Sequence, residues 1–385
     1  MSRAIQQLGR RLRLGVIGGG PESFIGAIHQ SAATMHGEFG VVAGVLSSDP
    51  GRALTAAKLV GIPRGYSSPR ALFESESQRQ DGVDAIAVIT PNNSHYDYSM
   101  QALAAGFHVM IEKPLTITEK EGIELLRTLR QTGKCGCVAY GYTGYPMVRQ
   151  ARAMVASGVI GEIKMLQSNY VQGHLAELTA GELDGSNWHM NPEQAGPSLI
   201  LGDIGTHSYH LLSFVTGMTP VQLSADVTNI VAGRTVDDYC AIWLRYGNRA
   251  RGQLWVTQAA AGGVHGLGFT IYGAKGGLVW QQEQPDELLV RPLDAPAYML
   301  KKGGKGLHPA AERASHLAIG HPEGYREAFA NLYLDFASHI VDNISGNSPD
   351  PLSLWYPTVS DGVEGIAFIY AALRSRDNGG QWETI

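Results

Sequence analysis

The sequence is poor in charge. Charged residues make up 17% of its 385 positions, below the ~25% usual for globular domains. The 30 basic and 35 acidic residues give a formal charge of −5, and the only basic cluster inside the chain is Lys301, Lys302 and Lys305. Because nucleic-acid binding needs a basic face, this composition argues against a nucleic-acid partner.

Cysteines and long apolar runs are also scarce. The three cysteines, Cys135, Cys137 and Cys240, form no disulfide framework or zinc pattern and are typical of reduced thiols in a cytoplasmic protein. The first 13 residues carry arginines but no apolar stretch, so we expect a short basic arm rather than a secretory signal. The longest uncharged stretch, between Arg251 and Lys275, contains polar residues and glycines. We therefore expect no metal site and no membrane contact.

Glycine, by contrast, is abundant, with 48 residues. It separates alternating strand and helix patterns up to residue 140. Single helices between strands imply parallel pairing with right-handed crossovers. The pattern predicts an α/β protein whose N-terminal domain, residues 1–140, is a Rossmann doubly wound parallel sheet.

The pattern changes after about residue 160, where strand-like runs follow one another with turns between them. Consecutive strands of this kind favour antiparallel pairing. We therefore predict a C-terminal α+β domain over residues 141–385 with an open, mostly antiparallel sheet. Helical patterns return at 323–343 and 359–376. We leave open whether these two helices pack against the first domain.

A glycine loop joins the first strand to the first long helix. Glycines at this point let the backbone approach a pyrophosphate, whose charge the helix N-terminus attracts. Three residues, 21–23, are inserted into the usual glycine spacing. The predicted dinucleotide contacts are Gly18, Gly20, Ser23, Phe24, Ile25 and Gly26.

The end of the second strand bears on the choice of cofactor. An acid there selects NAD through the ribose hydroxyls, and Asp49 lies slightly beyond this point. Ser47, Ser48 and Arg52 would instead suit the 2′-phosphate of NADP, and Asp49 could simply cap a helix. Both cofactors stay open, with NAD slightly favoured.

Three further motifs carry reactive side chains. Thr90, Pro91, Asn92 and His95 follow one predicted strand, and Glu112 and Lys113 follow the next. Carboxyl ends of parallel strands are where ligands bind, and a lysine before proline is held out of the helical region. The third motif contains Asp203, His207 and His210. On a helix, Asp203 and His207 share a face, as an acid orienting a general base would. A metal-ligand role and simple helix capping are the alternatives.

These motifs, in this order, resemble the Gfo/Idh/MocA family of oxidoreductases. The resemblance rests on the glycine loop at 18–26, TPNNSH at 90–95, EKP at 112–114, GVIGEI at 158–163 and DIGTH at 203–207. It implies a Rossmann domain and an open sheet that often mediates homodimers or homotetramers. It also implies that Lys113 contacts the reacting hydroxyl, that His207 takes its proton and that Asp203 orients the site. The same resemblance places Glu112, Lys113 and the residues of TPNNSH along the ribose path of the cofactor.

The substrate is predicted from polar and aromatic residues of the predicted C-terminal domain. Sugar rings stack on aromatic side chains, and their hydroxyls need many hydrogen-bond partners. The candidates for carbohydrate contact are Tyr142, Tyr145, Arg149, Tyr170, His174, Trp188, His189, His207 and Tyr325.

Three functions are compatible with this set of predicted site residues. The first is an NAD(P)-dependent dehydrogenase of a secondary hydroxyl in a sugar, glycoside or cyclitol. The second is a redox-neutral glycosidase that oxidises C3 transiently, eliminates the aglycone, adds water and returns the hydride. The third, a non-catalytic sugar-sensing regulator, is disfavoured because Lys113, Asp203 and His207 are all present.

Overall fold

The computed structural model describes residues 2–179, 181–182 and 187–385. Its α-helices are α1 (Arg3–Leu8), α2 (Phe24–Met35), α3 (Pro50–Leu59), α4 (Pro69–Glu76), α5 (His95–Ala104), α6 (Glu119–Thr132), α7 (Pro146–Ala156), α8 (Pro192–Ala195), α9 (Thr206–Thr216), α10 (Pro309–Arg313), α11 (Tyr325–Ser345) and α12 (Val359–Asp377). Its strands are β1 (Leu12–Gly18), β2 (Phe39–Val45), β3 (Arg64–Gly65), β4 (Ala85–Ile89), β5 (His108–Ile111), β6 (Gly136–Val138), β7 (Ile163–Val171), β8 (Gln222–Thr228), β9 (Tyr239–Arg245), β10 (Arg251–Thr257), β11 (Gly268–Gly273), β12 (Gly276–Gln281), β13 (Glu287–Pro292), β14 (Tyr298–Lys301) and β15 (Glu383–Thr384).

The chain folds as two compact units. The first comprises Met1–Gly144 and Tyr325–Val363, and the second comprises Tyr145–Gly324 and Glu364–Ile385. Helix α11 therefore belongs to the first unit, although every strand of the second sheet except β15 precedes it in sequence.

The sheet of the first unit has six parallel strands in the order β3-β2-β1-β4-β5-β6. This is the strand order of the doubly wound dinucleotide-binding fold. Every residue of β4 is buried, as expected for a central parallel strand covered on both faces. The predicted Rossmann sheet is confirmed.

Helix α11 supplies a large part of the apolar core of this unit. Phe329, Tyr333 and Phe336 are buried in the same cluster as Leu14 of β1. The ring of Tyr333 meets Phe39 of β2 edge to face, with 5.7 Å between centroids. Edge-to-face pairs of this kind add to the stabilisation that burial alone provides.

The expected basic arm at the N-terminus is a helix instead. Ser2 caps α1, and Gly9 ends it in the left-handed region. The Arg3 guanidinium lies 2.5 Å from the Asp342 carboxylate, and the carboxylate of Glu38 accepts the backbone N–H groups of Arg3 and Ala4. With only six residues, α1 is too short to show a helical apolar pattern in the sequence.

The sheet of the second unit has nine strands in the order β14-β13-β12-β11-β7-β10-β9-β8-β15. Its pairs are antiparallel except β7 with β10, which is parallel. This confirms the predicted mostly antiparallel sheet. One face is buried, with Leu166, Leu244, Leu254 and Ile271 turned inward.

No helix in the described part of the chain is long and apolar enough to cross a membrane.

One buried histidine forms a hydrogen bond between β5 and the residue that precedes β6. His108 of β5 is 2% exposed, and its Nδ1 accepts the N–H of Cys135 at 2.9 Å. Burial and, to a smaller extent, the charge of Lys134 lower the pKa of His108 to about 3. Histidine in an unfolded chain has a pKa of about 6.5. The stability that neutral His108 contributes is therefore complete above pH 6.5 and is lost progressively as the pH falls towards 3.

We predict that His108→Asn reduces the acid sensitivity of folding. Asparagine keeps an acceptor near the Cys135 N–H but does not titrate. The shift of His108 accounts for a loss of about 2 kcal/mol of unfolding free energy between pH 7 and pH 5. Urea unfolding of both proteins at the two pH values measures the difference. Equal losses in wild type and variant would contradict this assignment.

Candidate active site

The glycine loop after β1 is a close-packed turn. Gly18 and Gly19 have φ angles of 87° and 64°, which favour glycine. A Cβ on Gly18 would lie 2.2 Å from the carbonyl oxygen of Ile89, and one on Gly26 would lie 2.5 Å from that of Gly19. Backbone therefore fills the space that side chains would take, which is how such loops let a pyrophosphate approach.

The inserted residues 21–23 do not disturb this packing. The N–H of Ser23 donates to the carbonyl of Gly20 at 2.8 Å, and the Ser23 hydroxyl accepts the N–H of Gly26 at 3.1 Å. The insertion thus forms a turn and the N-cap of α2, and the helix N-terminus still follows the glycines. Gly18, Gly20 and Gly26 were predicted cofactor contacts, but Gly19, whose Cα lies directly against Gly26, was not.

At the end of β2, Asp49 is a helix cap. Its Oδ1 accepts the N–H of Arg52 at 2.7 Å and begins α3. The Ser47 hydroxyl accepts the N–H of Asp49 at 3.2 Å. The Arg52 side chain is 78% exposed, 3.8 Å from Asp49, and Ser48 is also exposed. The roles of these four residues in cofactor choice stay predictions.

The loop after β4 is fixed by a buried histidine. His95 is fully buried, and its Nδ1 and Nε2 lie 2.8 Å and 2.9 Å from the carbonyl oxygens of Pro114 and Thr90. Ser94 donates to the Thr90 hydroxyl at 2.6 Å. His95 therefore connects the loop of Thr90, Pro91 and Asn92 to the loop that carries Lys113.

The loop after β5 is held by a second buried histidine. Glu112 is 7% exposed. Its Oε1 lies 2.8 Å from Nε2 of His29 in α2, and its Oε2 accepts the N–H of Lys113 at 3.0 Å. His29 and its partner Tyr333 were not found from the sequence, because they lie far from Glu112 along the chain.

In the second unit, Asp203 lies on a π-helical turn, Leu201–Gly205, that runs directly into α9. Wider turns of this kind occur frequently at functional sites. Oδ2 of Asp203 accepts a hydrogen bond from the buried Gln258 side chain at 2.5 Å. Gln258 follows β10 and was not among the predicted site residues. It fixes one oxygen of the carboxylate.

His207 lies on the first turn of α9 and is 8% exposed. Its ring centroid is 6.3 Å from that of Tyr170, and the Tyr170 hydroxyl lies 3.0 Å from Nε2 of His265. Burial lowers the pKa of His265 to about 4. The second unit therefore brings a carboxylate, an amide, a phenol and two imidazoles onto neighbouring elements. Such a set can orient hydroxyl groups and move a proton.

The remaining candidates differ in exposure. Tyr145 and Arg149 are each 1% exposed and lie in the interior of the second unit, where Tyr145 packs 5.5 Å from Trp280. Within the first unit, the ring of Tyr325 stacks 6.4 Å from Phe24 and lies 5.7 Å from Tyr142. His174 is exposed, and Trp188 and His189 are half-buried and stacked on each other. Their substrate contacts stay predictions.

Comparison with known proteins identifies the family and the fold. Residues 12–141 match the oxidoreductase family with an NAD-binding Rossmann fold, and residues 148–279 match the GFO/IDH/MocA C-terminal domain. The uncharacterised oxidoreductase YfiI of Bacillus subtilis (strain 168) is 32% identical and matches over 97% of both chains. Levoglucosan dehydrogenase of Pseudarthrobacter phenanthrenivorans is 27% identical, over 73% of this chain and 76% of that protein.

A solved structure is similar over almost the whole chain. The inositol dehydrogenase homolog of Azotobacter vinelandii complexed with NAD⁺ is 35% identical, with a TM-score of 0.92 over 98% of each chain. The same homolog has been solved with NADH and myo-inositol. The fold and the glycine loop thus define a two-unit NAD-binding oxidoreductase. The chain belongs to the Gfo/Idh/MocA family.

Proposed function

We propose that the protein is an NAD(P)-dependent dehydrogenase of a secondary hydroxyl in a sugar, glycoside or cyclitol, with NAD as the favoured cofactor. The observation that carries this proposal is the combination of a glycine cradle at the start of α2 with an acid–imidazole pair, Asp203 and His207, at the start of α9. The substrates named for the relatives, levoglucosan and myo-inositol, support the polyol class.

In this proposal each of the site residues has a separate role. The backbone of Gly18, Gly19 and Gly20 and the N-terminus of α2 would hold the pyrophosphate. Bound there, the nicotinamide would supply the hydride acceptor for oxidation of the carbinol carbon. His207 removes the proton of the reacting hydroxyl, the Lys113 ammonium stabilises the oxygen as negative charge develops, and Asp203 orients the site.

A panel assay tests this function. Purified protein is incubated with myo-inositol, levoglucosan, free sugars and p-nitrophenyl glycosides, with NAD or NADP, and absorbance is followed for reduced nicotinamide and for nitrophenol. We expect reduced nicotinamide in proportion to substrate consumed, without nitrophenol. Nitrophenol release at catalytic amounts of cofactor, with no net reduction, would show the glycosidase instead.

We also propose that the protein forms a homodimer or homotetramer through the second sheet. The face opposite the buried one carries large exposed side chains on four adjacent strands: Met165, Trp243, Trp255 and Tyr272. Contiguous apolar surface of this kind marks interaction sites. Light scattering in solution measures the mass, and a monomer at micromolar concentration would contradict the proposal.

A further inference from the structure

A buried chain of hydrogen bonds runs from α11 to the loop after β5. The Tyr333 hydroxyl lies 2.6 Å from Nδ1 of His29. Nε2 of the same ring lies 2.8 Å from Oε1 of Glu112. The other carboxylate oxygen accepts the backbone N–H of Lys113 at 3.0 Å. His29 and Tyr333 are at most 1% exposed, so water does not compete for these bonds.

The donors and acceptors along this chain of hydrogen bonds run in one defined direction. Burial works against ionisation of Glu112, but the hydrogen bond from His29 and the nearby charge of Lys113 together lower its pKa. Burial raises the pKa of Tyr333 well above its usual value, so its phenol keeps the proton. An ionised carboxylate can only accept, so Nε2 of His29 donates to Glu112, and the protonated phenol of Tyr333 donates to Nδ1. Both ring nitrogens, the phenol and both carboxylate oxygens then have a hydrogen-bond partner, which makes such a network rigid.

The other side of Lys113 is held in a similar way. The next residue, Pro114, has its carbonyl oxygen 2.8 Å from Nδ1 of His95. The backbone on both sides of Lys113 is therefore tied to a buried histidine, one on α2 and one on α5. A side chain whose backbone is fixed at both ends starts from a fixed point and in a fixed direction.

We propose that His29 and Tyr333 are positioning residues that act on Lys113 through Glu112. This inference rests on the proposed function, because it concerns the lysine assigned to the reacting oxygen. Neither residue touches substrate in this role. They fix the Glu112 carboxylate, the carboxylate fixes the peptide of Lys113, and the ammonium is thereby placed in advance of the reaction. A preplaced charge costs no reorganisation when negative charge develops on the oxygen.

The experiment compares two matched variants. Tyr333→Phe removes one hydroxyl from the chain. Tyr356→Phe removes a hydroxyl from another buried tyrosine of the first unit, which lies 2.7 Å from Nδ1 of His339 and takes no part in the chain. Both substitutions break one tyrosine–histidine bond, so their effects on folding should be alike.

Two readouts separate positioning from general packing. The first is hydrogen–deuterium exchange of the Lys113 amide, which needs neither cofactor nor activity. We expect about tenfold faster exchange in Tyr333→Phe than in Tyr356→Phe, because the acceptor of that amide is less firmly held. The second is turnover. We expect kcat to fall about tenfold in Tyr333→Phe, with KM for NAD changed less than about twofold.

The outcomes are distinguishable. Equal exchange of the Lys113 amide in the two variants, or equal kcat values, would overturn the positioning role. A wild-type protein that turns over no polyol would instead overturn the proposed function. The exchange measurement would still decide whether Tyr333 holds the Lys113 segment.

Discussion

Replacing His207 with glutamine should lower kcat by about 10²–10⁴-fold, the usual contribution of a positioned general acid–base group. Glutamine fills a similar volume and can form hydrogen bonds, but it cannot take up a proton near neutral pH. The reacting hydroxyl would then have to lose its proton to water. The measurement is steady-state kcat with the polyol that the panel assay identifies, together with the affinity for NADH from fluorescence titration. We expect that affinity to stay within about threefold of wild type, because the glycine cradle that would hold the cofactor is unaltered.

The matched control is His210→Gln. His210 lies on the same helix, one turn further along, and is buried to a similar degree. A loss of packing or of helix stability should affect both variants, whereas a loss of the base should affect only His207→Gln. If His207→Gln kept more than about a tenth of wild-type kcat, His207 would not be the base, and the assignment of the second unit's site would fail.

Local features were predictable from the sequence because local patterns encode them. Asp49 caps α3, one of the roles that its position in the sequence allowed, and Gly133 ends α6 in the left-handed region as a C-terminal glycine should. The glycine loop was predicted for the same reason. Its requirements, positive φ and close backbone approach, are visible as residue types at a strand end.

The missed features depend on contacts between distant parts of the chain. Gln258 lies 55 positions from Asp203, and Tyr333 lies 304 positions from His29. No periodicity in the sequence relates such residues, so the partners of the carboxylates could not be named. The same holds for the parallel pairing of β7 with β10, because neighbouring strand patterns indicate only the pairing of consecutive strands. Arg149, a candidate for substrate contact, lies inside the second unit, and its contact with substrate stays a prediction.

A buried arginine in the second unit should give the largest loss of stability. Arg234 lies between β8 and β9, and its Nη1 is 2.9 Å from Asp238. Its Nη2 is 2.7 Å from Glu182 and donates to the carbonyl of Leu175 at 2.7 Å. All three charged side chains are at most 2% exposed. The guanidinium thus holds the segment around Leu175, whose N–H donates to the carbonyl of Gln258, the residue that bonds Asp203.

Arg234→Met should therefore lower the free energy of unfolding by about 3–5 kcal/mol, because it leaves two buried carboxylates without their cation. Urea unfolding measures the loss. Arg79→Met is the control: Arg79 makes a bidentate ion pair with Asp81, but both side chains are well exposed, and exposed pairs contribute little to stability.

A double variant shows whether an unpaired buried carboxylate causes the loss of stability. In Arg234→Met/Glu182→Gln one of the two carboxylates is neutral, so the pair of substitutions should destabilise the protein less than Arg234→Met alone. A loss of stability in the double variant that equals the loss in Arg234→Met, or equals the sum of the two single losses, would mean that Arg234 acts through packing of its alkyl stem. Because the segment it holds reaches Gln258, and Gln258 fixes Asp203, the Arg234→Met protein should also lose turnover under conditions where it is still folded. The same residue would then serve the stability of the unit and the geometry of the site.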